Sequence, residues 1–126
     1  MSKLKFRSGL EKRFAEQAPR GKFKYEPYKV PYLVYRDYIP DFVYEGTDTK
    51  YLIECKGYFR QGDTQKYKAI RDSIGDDELI FLLSDQYKKV RKGSKMTMGQ
   101  WCEKEGLAHF TMATIDSLLK HVGIEQ

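Results

Sequence analysis

Two acidic motifs at the ends of one hairpin constrain this chain more than anything else in it. Pro40-Asp41-Phe42 opens the run Phe42-Val43-Tyr44-Glu45, the cluster Gly46-Thr47-Asp48-Thr49 follows, and Lys50-Tyr51-Leu52-Ile53 leads into Glu54-Cys55-Lys56. Aromatic and β-branched runs on either side of a Gly/Asp/Thr cluster are a hairpin signal. A four-residue loop pairs Glu45 with Lys50, Val43 with Leu52, and Asp41 with Glu54. Strand side chains alternate faces, so Lys56 shares the side of Glu54. The opposite face carries Phe42, Tyr44, Tyr51, Ile53 and Cys55, which suits a core. Two carboxylates and an ammonium therefore converge at one end of the hairpin.

That convergence has a cost. Carboxylates roughly 5 Å apart repel by about 3 kcal/mol at an effective dielectric near 20, and like charges directly opposite in a ladder are normally avoided. Compensation comes from a shared proton, from Lys56, or from a divalent cation; oxygen-rich sites with open positions suit magnesium or manganese.

The rest of the chain supplies the frame. Its 126 residues make one domain with a single core. The balance of 23 Lys and Arg against 18 Asp and Glu is a modest basic excess, compatible with a polyanion partner without requiring one. Cys55 and Cys102 form neither a disulfide framework nor a zinc motif, which points to a reducing compartment. No apolar run reaches membrane-span length, and no signal-peptide core stands at the N-terminus.

In chain order, a short basic start (Lys3, Lys5, Arg7) precedes Ser8-Gly9-Leu10-Glu11, a capping box opening a helix that Pro19-Arg20-Gly21 ends. Glu11 reads either as the box's reciprocal partner or as a third carboxylate for the hairpin site. Residues 23–28 alternate like a strand, and 29–35 continue extended, with Pro31 marking an edge, a bulge or a crossing. After the hairpin, Asp63 or Thr64 caps a helix to about Ile74 with Tyr67, Ile70 and Ile74 inward, leaving Lys66, Lys68 and Arg71 for the surface. Leu79–Leu83 is a strand buried on both faces, so the unit is a βαβ crossover. The basic run Lys88–Lys95 is a solvated loop or a phosphate-holding one, with Gly93 and Ser94 as donors. Thr97-Met98-Gly99-Gln100 is a second capping box for a helix through Trp101 and Cys102 that stops at Gly106. Residues 107–110 form a last short strand, and a helix capped by Thr114 buries Ile115, Leu118, Leu119 and Val122. His109 and His121 have no obvious partner.

Helix with Glu, strand with Asp, hairpin, strand with Glu-x-Lys, helix, strand: this order resembles the PD-(D/E)xK nuclease superfamily. The local wording resembles the T-odd phage endonuclease I family of Holliday-junction resolvases. The residues that carry the likeness are Phe6-Arg7-Ser8-Gly9-Leu10-Glu11, Lys29-Val30-Pro31-Tyr32, Pro40-Asp41-Phe42 and Glu54-x-Lys56-Gly57. Ile70-Arg71, Lys92-Gly93-Ser94 and Gly99-x-Trp101-Cys102-Glu103-Lys104-x-Gly106 extend it over nearly the full chain.

The resemblance implies an α/β fold, a restriction-endonuclease-like central mixed sheet flanked by helices, as a segment-swapped homodimer whose bridge lies at about 31–40. It implies a metal-dependent endonuclease acting on branched double-stranded DNA, with Glu11, Asp41, Glu54 and Lys56 as catalytic positions. Asp41, Glu54, the Cys55 carbonyl and Glu11 would hold two magnesium ions, with manganese as a substitute. Lys56 would orient or help deprotonate the attacking water. Arg7, Lys66, Arg71, Lys89, Arg91, Lys92 and Ser94 are the expected DNA contacts, in the cytoplasm of a phage-infected or prophage-carrying bacterium. Compared with the family's pattern the bridge is shorter, the basic extension before Phe6 is short, and Gly123-Ile124-Glu125-Gln126 carries no lysine-rich tail. A less selective nicking or debranching nuclease and a non-catalytic branched-DNA-binding module are the competing expectations.

Overall fold

The structure, a computed structural model, describes residues 5–125, so Lys3 of the basic start lies outside it. The chain divides into two compact units, one ending at Arg36 and the other beginning at Asp37.

In the first unit, helix α1 spans Gly9–Gln17. Ser8 is its N-cap, and its hydroxyl accepts from the Glu11 backbone N–H at 3.1 Å. The reciprocal half of the expected box is replaced: the Glu11 carboxylate accepts from the Tyr25 hydroxyl at 2.7 Å and from the Arg7 N–H at 3.3 Å. Phe14 meets Phe23 edge-on with ring centroids 5.2 Å apart, and Phe6 meets Tyr25 at 4.7 Å. These contacts fold residues 19–26 back onto the helix, although no residue of α1 is buried. The strand expected over 23–28 does not form. Glu26 adopts φ 42°, a left-handed conformation that interrupts extended backbone, and the described residues of the first unit contain no strand to pair with. Residues 29–40 also lack regular secondary structure.

The second unit is built on a four-stranded mixed sheet, β1 (Phe42–Glu45), β2 (Lys50–Lys56), β3 (Glu78–Leu83) and β4 (Ala108–Phe110), in that spatial order. β1 and β2 form the expected hairpin, with Glu45 opposite Lys50 and Val43 opposite Leu52. β2 and β3 are parallel and joined by helix α2 (Asp63–Ser73), the expected crossover; β4 is parallel to β3. The N-cap of α2 is neither Asp63 nor Thr64 but Gly62, at φ 89°, a conformation that side chains other than glycine rarely adopt. Asp63 instead sits in the first turn and accepts from the Arg60 N–H at 2.8 Å.

The two faces are unequal. One is covered by α2 and by α3 (Met98–Lys104), and it holds the larger core: Phe59, Tyr67, Leu79, Phe81, Leu83, Met98, Trp101 and Cys102. Edge-to-face aromatic pairs organise it, with Tyr67–Phe81 at 5.0 Å and Phe59–Trp101 at 5.1 Å. Each such pair contributes about 0.5–1.5 kcal/mol beyond the area it buries. The other face carries a smaller core of Ile80, Leu118 and Val122 under α4 (Ile115–His121). The expected assignment of faces is thus corrected. Leu52 packs into the larger core, on the side of Glu54 and Lys56. Tyr51 and Ile53 pack against the smaller core, whereas Phe42, Tyr44 and Cys55 are exposed. The reason is topological: the crossover helix and α3 both land on the Glu54 face, and β1 is an edge strand.

The second capping box forms as expected: Thr97 accepts from the Gln100 N–H, and the Gln100 side chain accepts from the Thr97 N–H. Gly99 lets α3 approach residues 85–90, since a Cβ there would stand 3.1 Å from the Gln86 carbonyl oxygen. The basic run becomes a short antiparallel arm in which the Val90 N–H donates to the Met96 carbonyl and the Met98 N–H to the Lys88 carbonyl. Buried Val90 anchors it. His121 gains a partner that the sequence did not announce, Glu78 Oε2 at 2.5 Å. No helix among the described residues is long and apolar enough to cross a membrane.

Candidate active site at the end of the hairpin

The site grows out of register and crossover. β1 begins at Phe42, opposite Ile53, and Asp41 directly precedes it. The Asp41 carboxylate accepts a hydrogen bond from the Cys55 N–H at 2.8 Å. In a strand the N–H and C=O of one residue point to the same edge, so the Cys55 carbonyl is directed toward the Asp41 side as well. The next residue faces the other edge, where the Ser84 N–H donates to the Lys56 carbonyl.

Glu54 is the one buried charged residue among those described, at 7 % exposure. The Tyr38 hydroxyl donates to its Oε1 at 2.6 Å, and Lys56 Nζ lies 3.5 Å from its Oε2. Lys56 is shared: Asp63 Oδ2 is 3.8 Å from the same nitrogen, and the Tyr67 ring lies under it with its centroid at 5.2 Å. Burial works against the Lys56 charge, but Tyr67, Glu54 and Asp63 outweigh it and raise its pKa above the ordinary lysine value. Lys56 is therefore an ammonium at neutral pH. The Tyr38 phenol is pushed upward by burial and then by its bond to Glu54, so it acts as a donor. Burial, with Asp41 and Glu54 adding to it, also raises the Cys55 thiol.

Glu54 and Lys56 thus pair on one face at the end of β2, and Asp41 is tied to the backbone between them through the Cys55 N–H. Glu11 belongs to the first unit, where Tyr25 and Arg7 hold its carboxylate. Three participants escaped the sequence reading. Asp63 had a detectable signal, because the first turn of a crossover helix starts beside the C-terminal end of the strand before it. Tyr67 was read as core only. Tyr38 lay in what read as a polar connection, and nothing local pointed it at Glu54.

The expected DNA-contacting residues fall in several places. Lys89, Arg91 and Lys92 are exposed on the arm. Ser94 closes its turn: its N–H donates to the Arg91 carbonyl and its hydroxyl accepts from the Met96 N–H. Lys66 is exposed on α2. Arg71 is not left for the surface. Its Nη1 donates to the backbone carbonyl of Glu105 at 2.5 Å and to the Glu105 carboxylate at 3.1 Å, while Nε bonds Asp72. Those bonds tie α2 to the C-terminus of α3. Arg7 is exposed and paired with Glu26.

As to metal, no group of three or more His, Cys, Asp or Glu side chains clusters among the described residues. Asp41, Glu54 and the Cys55 carbonyl are nonetheless hard oxygen donors of the kind magnesium takes. That ion is usually held by one or two carboxylates, with water and substrate phosphate completing its shell. The donor set fits one such ion.

The description "Phage endonuclease I" belongs to a protein family that matches residues 1–124 of this chain. The chain is 32 % identical to "Endodeoxyribonuclease 1" of Enterobacteria phage T3, over 96 % of this chain and 78 % of that protein. It is 35 % identical to "Endonuclease I" of Escherichia phage T7, over 81 % of this chain and 70 % of that protein.

Proposed function

The chain belongs to the phage endonuclease I family, and from that premise we propose that it is a magnesium-dependent endodeoxyribonuclease that resolves four-way DNA junctions by phosphodiester hydrolysis. The observation that carries the reading is the Glu54–Lys56 pair with the Asp41 carboxylate bonded to the Cys55 N–H between them, within a match that covers nearly the whole chain. A retired site has no reason to keep these charges together at the cost of their repulsion.

Asp41, Glu54 and the Cys55 carbonyl would hold the metal, and Glu11 would complete the set. When bound there, such an ion would supply Lewis-acid stabilisation of charge on the attacking and leaving oxygens. Lys56 would orient the attacking water or help deprotonate it, and its charge would offset that of the scissile phosphate. Tyr38 fixes one oxygen of Glu54, so that carboxylate meets its ligand without a search over rotamers. Tyr67 and Asp63 hold Lys56 in place from the core side. Exposed Lys66, Lys89, Arg91 and Lys92, with Arg7, suit phosphate contacts, and Arg71 is the weakest candidate because two of its nitrogens are engaged.

Two symmetric cuts across a junction need two sites at a fixed spacing, which a homodimer supplies. Residues 31–40, with prolines at both ends and no regular structure, suit an extended bridge between exchanged parts.

The test is cleavage of a labelled four-way junction, a matched duplex and a single strand, each with magnesium and with chelator, alongside Asp41→Asn. Paired, magnesium-dependent cuts near the branch point, absent from the mutant, are the expected result. Equal cutting of all three substrates would leave a less selective nuclease. Junction binding without cutting would leave a binding module.

A further inference from the structure

Past Lys56 the strand runs into Gly57 and then Tyr58, whose side chain is half exposed and points away from the core that Phe59 enters. Two cations lie over its ring: Lys88 Nζ at 5.5 Å from the centroid and Arg60 Cζ at 5.8 Å. Both are anchored through their backbones. The Lys88 carbonyl accepts from the Met98 N–H at 2.7 Å, and the Arg60 N–H donates to Asp63 Oδ2 at 2.8 Å. Asp63 is the same carboxylate that faces Lys56 Nζ. A half-exposed aromatic ring with two cations over it therefore stands two residues from a site residue. Two residues span at most about 7 Å, comparable to one step along a nucleotide strand.

We propose that Tyr58 is the branch-reading residue of this nuclease: its ring exchanges the Arg60 and Lys88 side chains for a nucleobase exposed at the branch point, and the two cations turn to the phosphate beside it. This rests on the nuclease reading above. The chemistry is selective because base faces in continuous duplex are covered by their neighbours, whereas a branch point uncovers them. Stacking on aromatic side chains tolerates any base, so this device selects for shape without reading sequence. The two cations contribute the sequence-independent phosphate attraction. A plain surface cation–π cluster accounts for the three side chains without DNA, and it predicts no difference between substrates.

The experiment compares kcat/KM on a four-way junction and for nicking of a matched duplex, in wild type, Tyr58→Ala, Tyr58→Phe, Arg60→Gln and Lys88→Gln. Tyr58→Ala should lose about tenfold on the junction with duplex nicking unchanged, and Tyr58→Phe should match wild type. Arg60→Gln and Lys88→Gln should weaken both substrates alike and each reduce the slope of log affinity against log salt by about one. A junction bearing 2-aminopurine at the branch, bound to Asp41→Asn, should emit less than when bound to Asp41→Asn/Tyr58→Ala. Unchanged junction preference in Tyr58→Ala, or emission independent of Tyr58, overturns the inference. Absence of cutting by wild type would instead sink the nuclease reading, and the emission of bound junction would still decide the role of Tyr58. A protein that binds no junction overturns both.

Discussion

Tyr38 donates its hydroxyl proton to Glu54 Oε1 across 2.6 Å, joining a residue upstream of the hairpin to the most buried carboxylate of the site. The bond serves two ends. It satisfies an oxygen that water barely reaches, and it orients Glu54 beside Lys56. Tyr38 also packs edge-on to Tyr67, with centroids 6.2 Å apart, so its ring belongs to the same core that supports Lys56.

Tyr38→Phe keeps that ring and removes the bond. It should lower stability by about 1 kcal/mol, read as a shift in the urea midpoint at unchanged slope, and slow DNA cleavage more than it weakens DNA binding. Cleavage at the wild-type rate would show that Glu54 needs no such orientation.

Asp41→Asn and Glu54→Gln each remove a charge and, on the proposed reading, a metal donor. Both should abolish cutting while junction affinity holds or tightens, because repulsion from phosphate falls. Gel-shift titration of the folded variants checks this, and loss of binding by a folded variant would contradict it.

Lys56→Ala should reduce turnover with little change in the magnesium concentration that gives half-maximal rate. On the proposed reading its ammonium serves orientation and charge, and the metal donors are Asp41 and Glu54. Unchanged turnover would remove Lys56 from the mechanism.

The arm offers three exposed cations, Lys89, Arg91 and Lys92. Replacing all three by glutamine should weaken binding to any DNA and flatten the salt dependence, by up to about three in the log–log slope. An unaltered slope would make the arm a solvated hairpin.

Cys102 is fully buried, and burial, with Glu103 adding to it, pushes its thiol up to about 12. An unfolded thiol ionises near pH 8.5. The folded chain therefore binds the proton more tightly. This contribution to stability is complete below about pH 8.5 and is lost progressively as pH rises toward the folded value. Denaturation midpoints measured from pH 8 to 11 should fall less steeply for Cys102→Ala than for wild type; equal slopes would contradict it.

The hairpin, its register, the βαβ crossover, the second capping box and the α4 core were legible because each is written in local chemistry: period-two alternation, turn residues, cap spacing and an unbroken apolar run. So was the pairing of Glu54 with Lys56, since alternation along one strand places residues two apart on the same face. Residues 23–28 misled because alternation describes a strand but supplies no partner, and Glu26 turns left-handed where pairing would have to continue. Tyr38, Asp63 and Tyr67 joined the site only in three dimensions. Helix α2 returns across the Glu54 face, and its first turns bring Asp63 and Tyr67 to Lys56. Arg71 lost its expected freedom for the same reason, because the carbonyl it binds belongs to the end of another helix, far along the chain. Local pattern determined which elements form and which charges face each other across a ladder. Packing decided which neighbours hold those charges, since a crossover helix carries its contacts from residues that no sequence period relates.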